Sequence, residues 1–210
     1  MEIRKLFKLN NAHIVRNCYS ERCKHSLHAH TAEIEVFLKG IKVDTAGMIM
    51  DFGVTKTIFK PFLDIHQNAV LIWKYDSDEY KDFVKSKTDN WIELAFTPSA
   101  ELLAAYFQLK FSSFLNRLEL ANNEDPNITI SKTRYHETRT GYAEATSEDV
   151  FDLMVDQRWA LIAETFGPTP SKKLSDFYNK NGFYLLSDNP IPVPKPEHQV
   201  VRTIYKKSKN

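Results

Sequence analysis

Two stretches of this chain alternate apolar and polar residues, and each carries histidine on its apolar parity. In the first, Ile3, Phe7, Leu9 and His13 share one parity, while Arg4, Lys8 and Asn10 share the other. A period of two is that of a strand with one face buried. His13 therefore arrives on the core side as the strand ends. In the second, His28, His30, Ala32, Ile34, Val36 and Leu38 point one way, and Thr31, Glu33 and Glu35 the other. On a strand His28 and His30 project from one face, about 7 Å apart at Cα, so both imidazoles can converge on one ion. His13, from the end of a neighbouring strand, supplies a third nitrogen. Zinc with three protein ligands keeps one position open, as catalytic sites do and structural ones do not. The expected metal is Zn2+, and the expected ligands are His13, His28 and His30. His25 has the opposite parity, and neither His66 nor His136 fits the strand-face argument.

The remaining pattern predicts an α+β fold. Gly40 and residues 44–47 are turn chemistry. Residues 52–64 place Thr55, Ile58, Phe59, Phe62 and Leu63 on one helical stripe, with Pro61 bending or shortening it. Pro98 and Ser99 open a stronger helix through Leu103, Phe107, Phe111, Phe114 and Leu118. Residues 122–127 read as a loop, 128–137 as a strand, and 142–145 as another after the Thr140-Gly141 turn. The order strand, strand, helix, helix, strand, strand suggests a four-stranded antiparallel sheet with two helices on one face. This domain spans 1–145. Residues 146–210 form a C-terminal extension packed on or beside it, with no assigned chemistry. Within it Ser147 caps a helix running through Val150, Leu153, Met154 and Ala160 to Ile162. A short helix follows over 171–181, then a polyproline-like linker over 190–196.

Composition excludes several function classes. Lys+Arg 28 against Asp+Glu 27 leaves a net charge of +1, so no nucleic-acid partner is expected. The basic tail at 206–209 reads as solvated. No run approaches the roughly 18 apolar residues of a membrane span, so no membrane partner is expected either. Two cysteines five residues apart make no disulfide framework. The expectation is a reduced, cytoplasmic protein.

Several motifs together resemble one family. His13, Cys23 and His28-Ala29-His30 are followed by Gly47-Met48-Ile49-Met50-Asp51-Phe52, then by Pro98-Ser99-Ala100-Glu101-Leu102-Leu103-Ala104. His136-Glu137-Thr138 and Gly141-Tyr142-Ala143-Glu144 close the series. Over about residues 1 to 145 this is similar to the 6-pyruvoyl tetrahydropterin synthase and 6-carboxytetrahydropterin synthase family. The bacterial carboxy-type enzymes of 7-deazaguanine (queuosine-type) biosynthesis are the nearer resemblance. It implies a tunnelling fold (T-fold) assembled into an oligomeric barrel with sites at subunit interfaces. It also implies a zinc lyase acting on 7,8-dihydroneopterin triphosphate.

Residue by residue, the resemblance puts Cys23 in the place of the thiolate base, with Cys18 the alternative thiol. It makes Glu137 the pterin anchor, since a carboxylate accepts two parallel hydrogen bonds from a 2-amino-pyrimidinone edge. Ser99 and Glu101 match substrate-binding positions, although a first-turn glutamate is also ordinary helix-dipole chemistry. Asp51-Phe52 reads as a helix cap and staple. Arg16, Lys24 and Arg139 are candidates for the triphosphate. The family's adjacent Asp-His proton relay falls, without gaps, on Gln67-Asn68, and amides are neither acid nor base near neutral pH. A small shift offers Asp64 and His66 instead. Because of this departure, triphosphate elimination alone, aldol cleavage, or zinc and pterin binding without turnover are the alternative functions.

Overall fold

Residues 1–117, 128–156 and 160–167 are described by the computed structural model. The loop at 122–127, the helix at 171–181, the linker at 190–196, the tail at 206–209 and Leu118 lie outside the described residues.

Both alternating runs are strands, β1 (Glu2–His13) and β2 (His28–Lys39), with a one-turn helix α1 (Glu21–His25) between them. The parity holds: Phe7, Leu9 and His13 are buried on β1, and Ala32, Ile34, Val36 and Leu38 on β2. Next comes α2 (Phe52–His66), capped by the Asp51 side chain, which accepts from the Gly53 amide. Pro61 sits inside α2 without ending it. The chain continues through β3 (Ala69–Trp73), α3 (Asp78–Lys87) and β4 (Trp91–Leu94) to α4 (Ala100–Arg117). Then follow β5 (Thr129–His136), β6 (Tyr142–Thr146), α5 (Ser147–Val155) and β7 (Glu164–Phe166).

The four expected strands pair antiparallel in the order β6-β5-β2-β1, but the sheet does not stop there. Among the described residues it has seven strands, β6-β5-β2-β1-β3-β4-β7, so the expectation of four is corrected. β3 runs parallel to β1, and β4 parallel to β3. Ala69-Val70-Leu71-Ile72-Trp73 has no alternation to read, because a parallel strand covered on both faces is a continuous apolar run. β7 pairs antiparallel with β4, so residues beyond Ala145 complete the same sheet. The helical pattern expected to reach Ile162 ends at Val155; residues 161–162 form a turn instead. Thr146 and Asp149 close a reciprocal capping box at the start of α5.

α2 and α4 meet through the aromatic stripes legible in the sequence. Phe59 lies 4.7 Å from Phe111 and Phe62 5.0 Å from Phe114, ring centre to ring centre. Phe107 stacks on Tyr135 of β5 at 6.1 Å, which seats α4 on the sheet. Each such pair contributes about 0.5–1.5 kcal/mol beyond the area it buries. The result is an aromatic layer joining α2, α4 and β5.

Candidate metal centre

The sheet register builds the centre. In the antiparallel β1–β2 ladder His13 lies directly opposite His28, and Asn11 opposite His30. Directly opposed residues hold their Cβ atoms about 4.5–5.5 Å apart, and His30 adds a third ring from two residues along the same face. The ring centres are 4.8 Å (His13–His28), 5.2 Å (His13–His30) and 5.0 Å (His28–His30) apart, nearly an equilateral triangle. One potential ligand atom from each ring lies within 4.8 Å of the others.

The surroundings of the rings suit a metal. The His28 Nδ1 lies 2.8 Å from the Ser26 carbonyl oxygen. As donor to that carbonyl it leaves Nε2 with its lone pair, the arrangement that orients metal-bound imidazoles. His13 is fully buried at 0% exposure, and among the described residues neither of its ring nitrogens has a hydrogen-bond partner, nor does the buried His30 Nε2. Buried nitrogens are rarely left unsatisfied, and a shared cation would satisfy one nitrogen of His13 together with His30 Nε2. Burial, reinforced by His13 and His28, outweighs Glu137 and holds His30 below the usual imidazole range, so it offers a lone pair near neutral pH. The donor set and its geometry fit a zinc ion.

Glu137 joins the triangle. It follows β5 directly, and its Oε1 lies 3.3 Å from His13 Nε2 and 3.8 Å from His30 Nε2. The His13 ring, ahead of the opposing cost of burial, holds its carboxyl below the ordinary carboxylate range. It faces the histidines of its own chain. Beneath them Asn11 donates to the Tyr135 hydroxyl at 3.0 Å. The sequence reading passed over this buried pair, although Asn11 shares the parity of Leu9 and His13.

A family model described as 6-pyruvoyl tetrahydropterin synthase matches residues 2–148. The chain belongs to the 6-pyruvoyl tetrahydropterin synthase family. A relative from one Helicobacter pylori strain, named 6-carboxy-5,6,7,8-tetrahydropterin synthase, is 34% identical over 150 residues, covering 71% of this chain and 74% of the relative. Its namesake from a second strain is 32% identical over 206 residues, covering 95% of this chain and all of the relative. The solved Plasmodium falciparum 6-pyruvoyl tetrahydropterin synthase superposes with a TM-score of 0.52 at 16% identity, over 69% of this chain and 96% of that one. The shared fold is the T-fold.

Not every residue that the family resemblance marks lies at the triangle. Cys23 is on α1, and its carbonyl accepts from the Val15 amide at 3.0 Å, which ties the thiol-bearing turn to the chain just past His13. The Cys18 thiol donates to the Ser20 carbonyl at 3.3 Å. Arg16, a triphosphate candidate, is committed elsewhere. Its Nε donates to Asp76 at 2.6 Å, its Nη1 to the Lys24 carbonyl at 3.3 Å, and it stacks on Tyr80. This clamp joins the Cys23 turn to the β3–α3 turn. Arg16→Ala leaves the buried Asp76 carboxylate without its cation and is expected to lower stability by about 2 kcal/mol, read from urea unfolding near neutral pH. An unchanged midpoint would show the clamp to be ornamental. Lys24 lies 3.8 Å from Glu21, and Arg139 is exposed on the turn beside Glu137.

Asp64 is on the outer side of α2, paired with Lys60 one turn away. His66 is 0% exposed, with Nδ1 2.9 Å from the Phe62 carbonyl and Nε2 3.2 Å from the Tyr106 hydroxyl. The ring expected as part of a proton relay is thus enclosed, with both nitrogens engaged by its own chain. The signal was present: residues 59, 62, 63 and 66 share one helical stripe. Gln67 accepts from the Asn10 amide at 3.2 Å, and the Asn68 amide donates to the Asn10 carbonyl at 2.7 Å. Both brace β1 where it turns toward His13. Asn68 adopts φ 59°, a left-handed conformation that asparagine tolerates better than most residues. Ser99 is bound into the start of α4, its hydroxyl accepting from the Leu102 amide at 3.4 Å. Glu101 lines a groove of about 380 Å³ between α4, β6 and α5, with Glu144, Asp149 and Asp152, not the histidine triangle.

Burial pushes His66 down to about 4 from 6.5. Between those values the unfolded chain binds the proton and the folded one does not, so stability falls as pH drops through this window. The full loss is about 3 kcal/mol. His66→Phe keeps a ring in the aromatic layer without a titrating nitrogen. It is expected to flatten that part of the dependence, measured by urea unfolding at about pH 7 and about pH 5. An unaltered slope would place the titration on another group.

Proposed function

We propose that the protein is a zinc-dependent lyase of the 6-carboxytetrahydropterin synthase type, acting on 7,8-dihydroneopterin triphosphate in 7-deazaguanine (queuosine-type) biosynthesis. The observation that carries this reading is the triangle of His13, His28 and His30, with buried nitrogens of His13 and His30 that lack hydrogen-bond partners among the described residues. The Helicobacter pylori relatives named 6-carboxy-5,6,7,8-tetrahydropterin synthase support the choice of product.

Held by those three residues, zinc supplies Lewis acidity to the hydroxyls of the substrate side chain. The chain's own groups do the rest. Cys23 removes a carbon-bound proton as thiolate, its turn held by Arg16 and the Val15 amide. Glu137 accepts two parallel hydrogen bonds from the amino-pyrimidinone edge and so fixes the pterin plane. Anionic near neutral pH, it needs no rearrangement of charge to do so. The active form is a homo-oligomer, and the outer strands β6 and β7 leave sheet edges through which copies can pair. Among the described residues no helix is long and apolar enough to cross a membrane.

The test is incubation of the zinc-loaded protein with 7,8-dihydroneopterin triphosphate and identification of products by mass spectrometry. The expected products are 6-carboxytetrahydropterin, inorganic triphosphate and a two-carbon aldehyde. Metal-replete protein that leaves the substrate unchanged would overturn the proposal.

A further inference from the structure

We propose, on the reading of Cys23 as the base, that Asp76 acting through Arg16 is a positioning residue for the Cys23 thiol. The thiol and the histidine triangle would then be aligned from one frame of strands.

The turn that carries Cys23 does not place itself. α1 is five residues long, buries none of them, and its Ser20 cap makes no side-chain hydrogen bond. A helix this short has little stability of its own. Its ion pairs, Glu21 with Lys24 at 3.8 Å and with His25 at 3.1 Å, join the turn only to itself and, being exposed, contribute little. The Val15 amide holds the Cys23 carbonyl at 3.0 Å, but both groups belong to the segment between β1 and β2.

Arg16 reaches outside that segment. Its Nη1 donates to the carbonyl of Lys24, the residue after Cys23, at 3.3 Å, while its Nε donates to Asp76 Oδ1 at 2.6 Å. The Tyr80 ring lies against the guanidinium at 5.1 Å. Two hydrogen bonds at the edge and a ring on the face leave a planar group little freedom to turn, a set of contacts that a lysine ammonium does not reproduce.

Asp76 is itself fixed. Its side chain is 3% exposed, its Oδ2 accepts from the Trp73 amide at 3.0 Å, and its own amide donates to the Trp73 carbonyl at 2.9 Å. Trp73 ends β3, whose Leu71 stands beside His13 in the parallel β1–β3 ladder. The strand next to His13 thus sets Asp76, Asp76 sets Arg16, and Arg16 sets the turn that bears Cys23. The far end of that turn returns to the triangle through the Ser26 carbonyl, 2.8 Å from His28 Nδ1. A misplacement of about 1 Å in a reacting group costs about 10²-fold in rate, so a turn without a core of its own needs such a tether.

The test uses the full zinc-loaded chain as wild type, Asp76→Asn, Arg16→Lys, the double variant and Cys23→Ala, all assayed below the lowest melting temperature of the set. Turnover of 7,8-dihydroneopterin triphosphate gives kcat and KM. Alkylation by iodoacetamide, located by mass spectrometry, reads the Cys23 thiol independently of turnover. Asp76→Asn is expected to lower kcat by about 10²-fold with KM and zinc content unchanged, and to speed alkylation of Cys23 as the turn is freed. Arg16→Lys should do the same, and the double variant should lose no more than either single one, because the two residues act as a unit. A pair that only stabilises the fold would leave kcat and the alkylation rate of the folded protein as in wild type, and that result would overturn the positioning role. Loss of zinc from Asp76→Asn would overturn it too, since the pair would then serve the metal. Cys23→Ala with wild-type turnover would instead remove the base on which the proposal stands. Wild type without turnover would overturn the lyase reading, while the alkylation rates would still decide whether Asp76 holds the thiol.

Discussion

His28→Ala is expected to fold, to lose its zinc, and to lower kcat/KM on 7,8-dihydroneopterin triphosphate by about 10³-fold or more, the scale on which removing stabilisation of a developing charge is felt. Zinc binding depends on the number of donors. With His28 gone, only two imidazoles of the set remain, neither of them re-aimed by a change at the first residue of β2. The fold should survive, since His28 is only partly buried and begins a strand whose apolar face starts at Ala32. His13→Ala is the poorer experiment, because it opens a cavity at a fully buried position. Metal analysis and steady-state kinetics on the same preparation check the expectation. A variant that keeps stoichiometric zinc and activity within about tenfold of wild type, roughly 1.4 kcal/mol in barrier height, would remove His28 from the centre.

Lys110→Met is expected to lower stability by about 3–5 kcal/mol, the cost of leaving a buried charge without its partner. Lys110 on α4 pairs with Glu164 on β7, and both side chains are largely shielded from water. The second carboxylate oxygen of Glu164 has no hydrogen-bond partner among the described residues, so Lys110 carries most of the compensation. For a chain of this length the melting temperature should fall by about 10 °C. Burial, against the attraction of Lys110, already raises the Glu164 carboxyl above its usual value. Without the lysine it rises further, and the folded state then binds a proton that the unfolded state releases. The variant should therefore recover stability as the pH is lowered toward the ordinary carboxylate range, and lose it as the pH rises. Replacing both residues, as Lys110→Met with Glu164→Leu, should restore most of the loss, because a buried ion pair contributes little over apolar groups of similar size. A single variant as stable as wild type would show that water reaches the pair.

Much of the fold was legible because its information is local. The alternation in β1 and β2 identifies the inward face without any partner, and the stripes of Phe59, Phe62, Phe107 and Phe111 identify α2 and α4. The strands β3 and β4 were not legible. Their pairings with β1 and with each other are parallel, and runs of five and four residues are too short to establish a period. β7, three residues long, exists only because β4 offers it an edge.

The histidines illustrate the same division. Their residue types, their shared parity and the position of each at a strand end are properties of the chain itself, and these were enough to single out His13, His28 and His30 against His25 and His136. Which residues stand opposite one another is a property of the ladder, and only the β1–β2 register makes the three rings a triangle. The fate of His66 and the approach of Glu137 depend on contacts across 40 and 124 residues of chain. Local sequence carries periodicity, and periodicity decides which way a side chain points. Only the packed structure, in which distant segments exclude water together, decides what it points at.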